Sequence, residues 1–344
     1  MSPHLVDLLA VPDVRQDAIR RLGDVLVSGR RVALSTHINA DGDGCGSEVA
    51  LALLLAQRGV QSRIVNPTPW PSMFDYLLDG VVDSSPLGTA AFKGIDALVV
   101  LDISDIKRLG VLTEGVRALD VPRLVVDHHV QGSEAPGDVL VVDTEACATG
   151  ELVFDIACVL DLELTAPVAR ALYTAILTDT GGFRFSNTSP RCQAIAAQLL
   201  AAGVDPEEMY RRIYASVSLG RIHLLRDALA TLEVDGLNGL SWLAIPAGAL
   251  ERYNVLAEEL DGIAEYARSI AGTRMAIFFR DLGHRQVKVS FRSTGITDVN
   301  RFARLFGGGG HAKAAGALIS GSLDEVSEHV LGEARRFLTD PATS

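Results

Sequence analysis

None of the four cysteines, Cys45, Cys147, Cys158 and Cys192, stands in a CxxC pair. They predict reduced, mostly buried thiols in a cytoplasmic protein, not a disulfide framework. Positive charge is also scarce: 31 Lys and Arg face 43 Asp and Glu, for a formal net charge of −12. That balance argues against long duplex nucleic acid as the main partner, because binding a phosphate backbone takes a basic stripe. It still allows a small anion held by a local site. No apolar run approaches the roughly 20 residues of a membrane span. The opening "MSPHLVDLLAVPDVRQ" has no basic segment followed by a long apolar one, so no signal peptide is expected. GxGxxG and GxxxxGKS/T follow none of the strand-like runs, which weakens dinucleotide-binding and P-loop readings. GxSxG, the serine nucleophile elbow, is missing too. Internal repeats are absent, and the one low-complexity tract is a run of four glycines, 307–310.

What the 344 residues do contain is 48% hydrophobic residues in an ordered alternation. The length predicts two domains. "RVALST" (31–36), "SRIVN" (62–66), "IDALVVLDIS" (95–104) and "PRLVVDHHV" (122–130) read as strands. Two of these contain the continuous apolar run of a strand buried on both faces. "SEVALALLLAQRG" (47–59), "TGELVFDIACVL" (149–160) and "APVARALYTAILTDT" (166–180) read as helices. The expected fold is α/β: a mostly parallel sheet with helices on both faces over 1–189. A helical connector follows over 190–229. A second, smaller α/β substrate-binding domain spans 230–344, with strands at 240–246, 274–281 and 286–293, a helix over 257–270 and a hairpin turn at "DLGH" (281–284).

Open α/β sheets bind ligands at the carboxyl ends of their strands. The polar residues that end the apolar runs are therefore the informative ones. One run delivers His37, Asp41 and Asp43 in "HINADGDG"; the next delivers Asp102; a third delivers Asp127, His128 and His129; a helix delivers Asp179. Any one of these alone is an ordinary helix cap or turn residue. Together they supply oxygen and imidazole donors without a thiol, a set that suits Mn²⁺ or Mg²⁺. There are too many for one ion, and two ions about 3.5–4 Å apart would use them all. Two cations also answer the repulsion between Asp41 and Asp43.

The segments "HINADGDGCGS", "LDIS", "VDHH" and "TDTGGFRFSN", in that order, resemble the motifs of the DHH phosphoesterase superfamily. The glycine run ending in histidine, "GGGGHAKAAG", resembles the mark of the DHH-associated substrate domain. "TDTGGFRFSNTS" with "FGGGGH" resembles the NrnA-type branch: two-domain oligoribonucleases and 3′-phosphoadenosine 5′-phosphate (pAp) phosphatases, some acting on cyclic di-AMP or its linear product pApA. The resemblance implies two Mn²⁺, with Mg²⁺ or Co²⁺ as substitutes. It implies one ion on His37, Asp41 and Asp102, and the other on Asp43, Asp102, His128 and Asp179. His129 would face the scissile phosphate and Asp127 would orient a histidine. Arg292, Ser293, Gly308, Gly309, Gly310 and His311 would hold substrate. The implied partners are short oligoribonucleotides and small nucleotides, with no long duplex and no membrane, and the implied assembly is a homodimer. Other functions compatible with these motifs are a cyclic di-AMP phosphodiesterase, an inorganic pyrophosphatase, or a catalytically silent nucleotide-binding regulator.

Overall fold

The computed structural model describes residues 5–339, apart from 261 and 311. It divides into two compact units between Ala215 and Ser216. The connector segment is shared between them: helices Pro190–Ala201 and Pro206–Tyr214 belong to the first unit and helix Leu219–Ala230 to the second.

In the first unit, strands β1 (Arg31–Ser35), β2 (Gln61–Ile64), β3 (Ala97–Leu101), β4 (Arg123–Asp127) and β5 (Val139–Val142) form a sheet in the order β2-β1-β3-β4-β5. Every neighbouring pair is parallel. Side chains alternate across a strand. Val32, Leu34, Val99, Leu101, Leu124 and Val126 therefore enter one core with helices Gly42–Gln57, Thr149–Val159 and Ala166–Asp179. Ala33, Leu98 and Val100 enter a second core on the opposite face, covered by 3₁₀ segments Ser85–Phe92 and Ile106–Leu112 and the short helix Thr113–Arg117. The sheet grows outward from β1 to β2, then crosses back to β3. The carboxyl ends of β1 and β3 thus flank the point where strand order reverses, the place where such sheets bind ligands.

Helix Gly42–Gln57 begins at Gly42, not at Ser47 as the sequence suggests. Asp41 is its N-cap: one carboxylate oxygen accepts from Asp43 N at 3.0 Å and Gly44 N at 3.1 Å. Gly46 is required by packing. A Cβ there would come within 2.5 Å of the Ala171 carbonyl oxygen, so this helix rests on helix Ala166–Asp179 backbone to backbone. A buried ion network ties the outer helices to the sheet. Arg15, on helix Asp13–Val25, reaches Asp143, Glu151 and Asp155, each at 2.7 Å. Arg191 reaches Glu151 at 3.1 Å and also Asp155.

The second unit holds β6 (Glu233–Asp235), β7 (Leu240–Ile245), β8 (Met275–Asp281), β9 (Gln286–Ser293), β10 (Gly309–Gly310) and β11 (Ala314–Ser320). Their order is β10-β11-β9-β8-β7-β6, antiparallel except for β7 with β8. Helices Val299–Arg304 and Leu323–Thr339 pack on one face, and helices Leu219–Ala230 and Ile263–Arg268 on the other. The helix expected over 257–270 is broken into a 3₁₀ turn at Ala257–Leu260 and helix Ile263–Arg268. Gly262 between them sits at φ 85°, a left-handed conformation that ends a helix. Among the described residues no helix is long and apolar enough to cross a membrane.

Candidate functional site

The order of strands decides which side chains meet. β3 lies between β1 and β4, so Asp102, the residue after β3, is delivered between the residues that follow its two neighbours. On one side His37 Nε2 lies 3.3 Å from Asp102 Oδ2 and 3.6 Å from Asp41 Oδ2. On the other side His128 Nε2 lies 3.7 Å from Asp102 Oδ1, 3.7 Å from Asp43 Oδ2 and 3.8 Å from Asp179 Oδ2. Asp102 itself has φ 61°, a sparsely populated conformation for a residue with a side chain, and aims one carboxylate oxygen at each group.

Both histidines are oriented by backbone. His37 Nδ1 contacts the Ile38 carbonyl at 2.9 Å, and His128 Nδ1 contacts the Ala146 carbonyl at 3.2 Å. A carbonyl only accepts, so each Nδ1 carries a proton and, in the neutral ring, each Nε2 presents a lone pair. Both Nε2 atoms are buried and have no hydrogen-bond partner. Two buried imidazole lone pairs aimed at carboxylates are mismatched unless a cation or a proton lies between them. Ligand-distance groups form around His37, Asp41 and Asp102, around Asp43, His128 and Asp179, and around Asp102, His128 and His129, in each case with donor atoms within 4.8 Å of one another. These residues fit divalent cations.

The electrostatics agree. Burial pushes Asp43 well above the usual carboxylate range, and Asp102, Asp179 and Asp41 push it further, while the Thr149 N–H pulls it back. Burial raises Asp179 to about 6 against the pull of His128. Burial alone would lower His37, but the Asp102 and Asp41 carboxylates beside its Nε2 prevail and raise it to about 10. His37, with the Gly44 and Asp43 N–H groups, brings the exposed Asp41 carboxyl down to about 2. Without a cation the acids hold protons or lean on the histidine.

Asp127 stands one step back. It is fully buried, and its Oδ1 accepts from His129 Nδ1 at 2.8 Å and His129 N at 3.2 Å. Burial would lower His129; the bond to Asp127 and the charge of Asp102 raise it instead.

Several groups that hold these residues were not evident in the sequence. Thr149 N and Gly150 N, at the start of helix Thr149–Val159, donate to Asp43 at 2.7 and 2.9 Å. The positive end of that helix thus faces a buried carboxylate. Thr149 Oγ1 donates to Asp102 at 3.1 Å. Asn187 Nδ2 donates to Asp179 Oδ2 at 3.1 Å and to the Cys147 carbonyl at 2.8 Å. The turn 146–150 therefore touches His128, Asp43 and Asp102 directly and Asp179 through Asn187. A threonine-glycine pair opening an apolar helix is the one local signal for it; the contacts of Thr149 and Gly150 with Asp102 and Asp43 span 47 to 107 residues of sequence.

The residues expected to hold substrate lie in the second unit. Arg292 contacts Glu265 Oε1 through Nε at 3.2 Å. Ser293 is buried, and its hydroxyl is committed to the carbonyls of Thr297 at 2.7 Å and Ala312 at 3.2 Å, so it braces a loop. Gly309 and Gly310 form edge strand β10; Gly310 pairs with Ala315, and Ala314 pairs with Arg292, which puts the glycines and Arg292 at one end of the sheet. Gly308 passes so close to the Gly316 carbonyl that a Cβ would lie 2.2 Å from it. His311 lies outside the described residues.

Residues 31–176 match the model of the DHH family N-terminal domain, and residues 245–340 match the DHHA1 domain. The chain is 33% identical, over 90% of each chain, to the bifunctional oligoribonuclease and PAP phosphatase NrnA of Thermus thermophilus. Its fold is similar to an exopolyphosphatase-related protein from Bacteroides fragilis, with TM-score 0.87, 23% identity and coverage of 96% of this chain and 100% of that one. It is also similar to RecJ of Thermus thermophilus in complex with Mn²⁺, with TM-score 0.53, 14% identity and coverage of 96% and 55%. A DHH domain whose strand ends gather these acids and histidines, followed by a DHHA1 domain, places the chain in the DHH family of phosphoesterases.

Proposed function

We propose that this phosphoesterase hydrolyses short 5′-phosphorylated oligoribonucleotides, including pApA, and pAp to mononucleotides, using two Mn²⁺. The observation that carries the reading is Asp102, set between two buried imidazole nitrogens that have no hydrogen-bond partner. His37, Asp41 and Asp102 would hold one cation, and Asp43, Asp102, His128 and Asp179 the other. Divalent cations held there would offset charge on a phosphoryl group and make water a usable nucleophile near neutral pH.

The chain's own residues do the rest. Asp127 fixes the His129 ring through Nδ1, so a protonated His129 is a preset donor to a phosphoryl oxygen. Thr149 and Gly150 keep Asp43 in place without a side chain's freedom. Arg292 supplies a guanidinium that matches phosphate with two parallel N–H bonds. The net charge of −12 disfavours long polymers and leaves short substrates held by local cations. The family resemblance supports a cytoplasmic homodimer as the working form.

The test is a panel of pAp, pApA, a 5′-phosphorylated trinucleotide, cyclic di-AMP and pyrophosphate, with products resolved by chromatography after chelation and Mn²⁺ addition. Hydrolysis of pAp and pApA that is lost on chelation and restored by Mn²⁺ is expected. Full activity after exhaustive chelation, or turnover of pyrophosphate alone, would overturn the reading.

A further inference from the structure

One peptide group in the first unit is held from both sides. His128 Nδ1 bonds to the Ala146 carbonyl at 3.2 Å, and the N–H of that same peptide, which belongs to Cys147, donates to Glu151 Oε2 at 3.1 Å. A trans peptide points its C=O and its N–H in opposite directions. The Ala146–Cys147 peptide therefore lies between the Glu151 carboxylate and the His128 ring. The second oxygen of Glu151 meets two cations: Oε1 accepts from Arg15 Nη1 at 2.7 Å and from Arg191 Nε at 3.1 Å.

Helix capping alone does not account for Glu151. A glutamate three residues past an N-cap ordinarily reaches back to the N-cap amide. Here the N-cap is Ala148, and Glu151 reaches one residue further, to Cys147. The first two amides of the helix go to Asp43 instead. Stability alone does not account for the ion network either, since apolar side chains of similar volume often serve as well or better. What the network does locally is clamp one segment. Arg15 bonds to Asp143 through Nε and to Glu151 through Nη1, each at 2.7 Å, so a single side chain fastens both ends of residues 143–151. Inside that segment the Cys147 carbonyl accepts from Asn187, which also donates to Asp179.

We infer that Glu151 is a positioning residue for His128. Anchored by Arg15 and Arg191, its carboxylate fixes the Ala146–Cys147 peptide, and the carbonyl of that peptide orients the imidazole. A carboxylate bonded directly to a metal-binding histidine fixes the ring in the same way; here one peptide stands between them. An N–H bonded to a carboxylate also polarises its own C=O into a stronger acceptor. The inference rests on the reading that His128 holds a cation.

The experiment uses the full chain in two measurements. Mn²⁺ is titrated with free ion read by spin resonance, and the Nδ1–H signal of His128 is followed by NMR of [15N]histidine-labelled protein in chelator, identified by its loss in His128→Ala. Glu151→Gln keeps the size of the side chain but puts an amide donor among donors. The network holds three carboxylates and two guanidiniums, so losing one carboxylate leaves its charges balanced. The variant should weaken one of the two Mn²⁺ binding steps by about tenfold, the low end for loss of a partner behind a metal ligand. It should leave the other step in place and shift the His128 signal. Asp155→Asn takes a carboxylate from the same two arginines without touching Cys147. It should lower the urea midpoint as Glu151→Gln does, yet keep wild-type Mn²⁺ affinity and the wild-type His128 signal. Coupling is reciprocal, so Mg²⁺ added to the wild type should slow exchange of the Cys147 amide more than that of amides 153–159. Wild-type Mn²⁺ binding in Glu151→Gln, equal impairment in Asp155→Asn, or uniform slowing of exchange by Mg²⁺ would overturn the inference. A wild-type chain that binds no Mn²⁺ would overturn the two-metal reading itself, and the inference with it.

Discussion

Replacing Thr149 by valine removes one hydroxyl and keeps the shape of the side chain. The hydroxyl donates to Asp102 Oδ1 at 3.1 Å, and Asp102 is the carboxylate proposed to serve both cations. The backbone N–H of Thr149, which holds Asp43 at 2.7 Å, is untouched. A hydrogen bond to a charged group is worth about 1.5–3 kcal/mol. Part of that energy is present with or without a cation, and its removal lowers folding stability by about 1 kcal/mol. The remainder appears as weaker metal binding, because an unsupported Asp102 samples rotamers that miss one of its two partners. That remainder corresponds to about tenfold in affinity, at the lower edge of the 10–100-fold typical when the partner of a metal ligand is removed. The assay is Mn²⁺ titration by the spin-resonance signal of free ion, with urea denaturation in chelator alongside. Thr149→Ser keeps the hydroxyl and should restore both quantities. Wild-type Mn²⁺ affinity in the valine variant, or a serine variant as impaired as valine, would refute the reasoning.

Asp102→Asn should lower turnover by orders of magnitude. Asp127→Asn should cost only about 10–100-fold, because the amide oxygen still accepts from His129; equal losses in steady-state kinetics would dissolve the distinction. Arg15→Ala leaves Glu151 and Asp155 with Arg191 as the remaining cation among the described residues and should destabilise the first unit by about 3–5 kcal/mol, read as a lowered urea midpoint; an unchanged midpoint would show the network to be idle. Glu48, bonded to Asn66 at 2.9 Å, is pushed by burial up to about 8. The folded state keeps this proton while the unfolded carboxyl has lost it, so stability in chelator should fall as pH rises from about 4.5 to about 8 and level off above. Glu48→Gln should reduce that slope, and identical slopes in the two proteins would count against the burial argument.

The strand ends were legible because β3 and β4 contain unbroken apolar runs, and the residues that stop them, Asp102 and Asp127, stand out by contrast. The start of helix Gly42–Gln57 was not. Three glycines within five residues carry a propensity penalty of about 1 kcal/mol each and read as a turn. Only the approach of the Ala171 backbone explains why Gly46 belongs in a helix. Asp41 was readable as a ligand candidate or as a cap, and the structure gives its two oxygens one task each. One caps the helix and the other faces His37. Thr149 and the Arg15 network escaped because their partners lie far off in sequence, 128 residues in the case of Asp143.

The contact at Gly46 makes the metal-free protein a loaded spring. Asp43 rides on the first turn of one helix and Asp179 is the last residue of the other, so the backbone contact sets how far apart two like charges can retreat. When both are charged, the carboxylates push outward while the packed helices hold them in. A proton or a cation relaxes the strain, and only the cation leaves both carboxylates charged. The recoil should be visible as amide exchange that is fastest, within these two buried helices, at the first turn of Gly42–Gln57 and the last turn of Ala166–Asp179, and that slows there when Mn²⁺ is added.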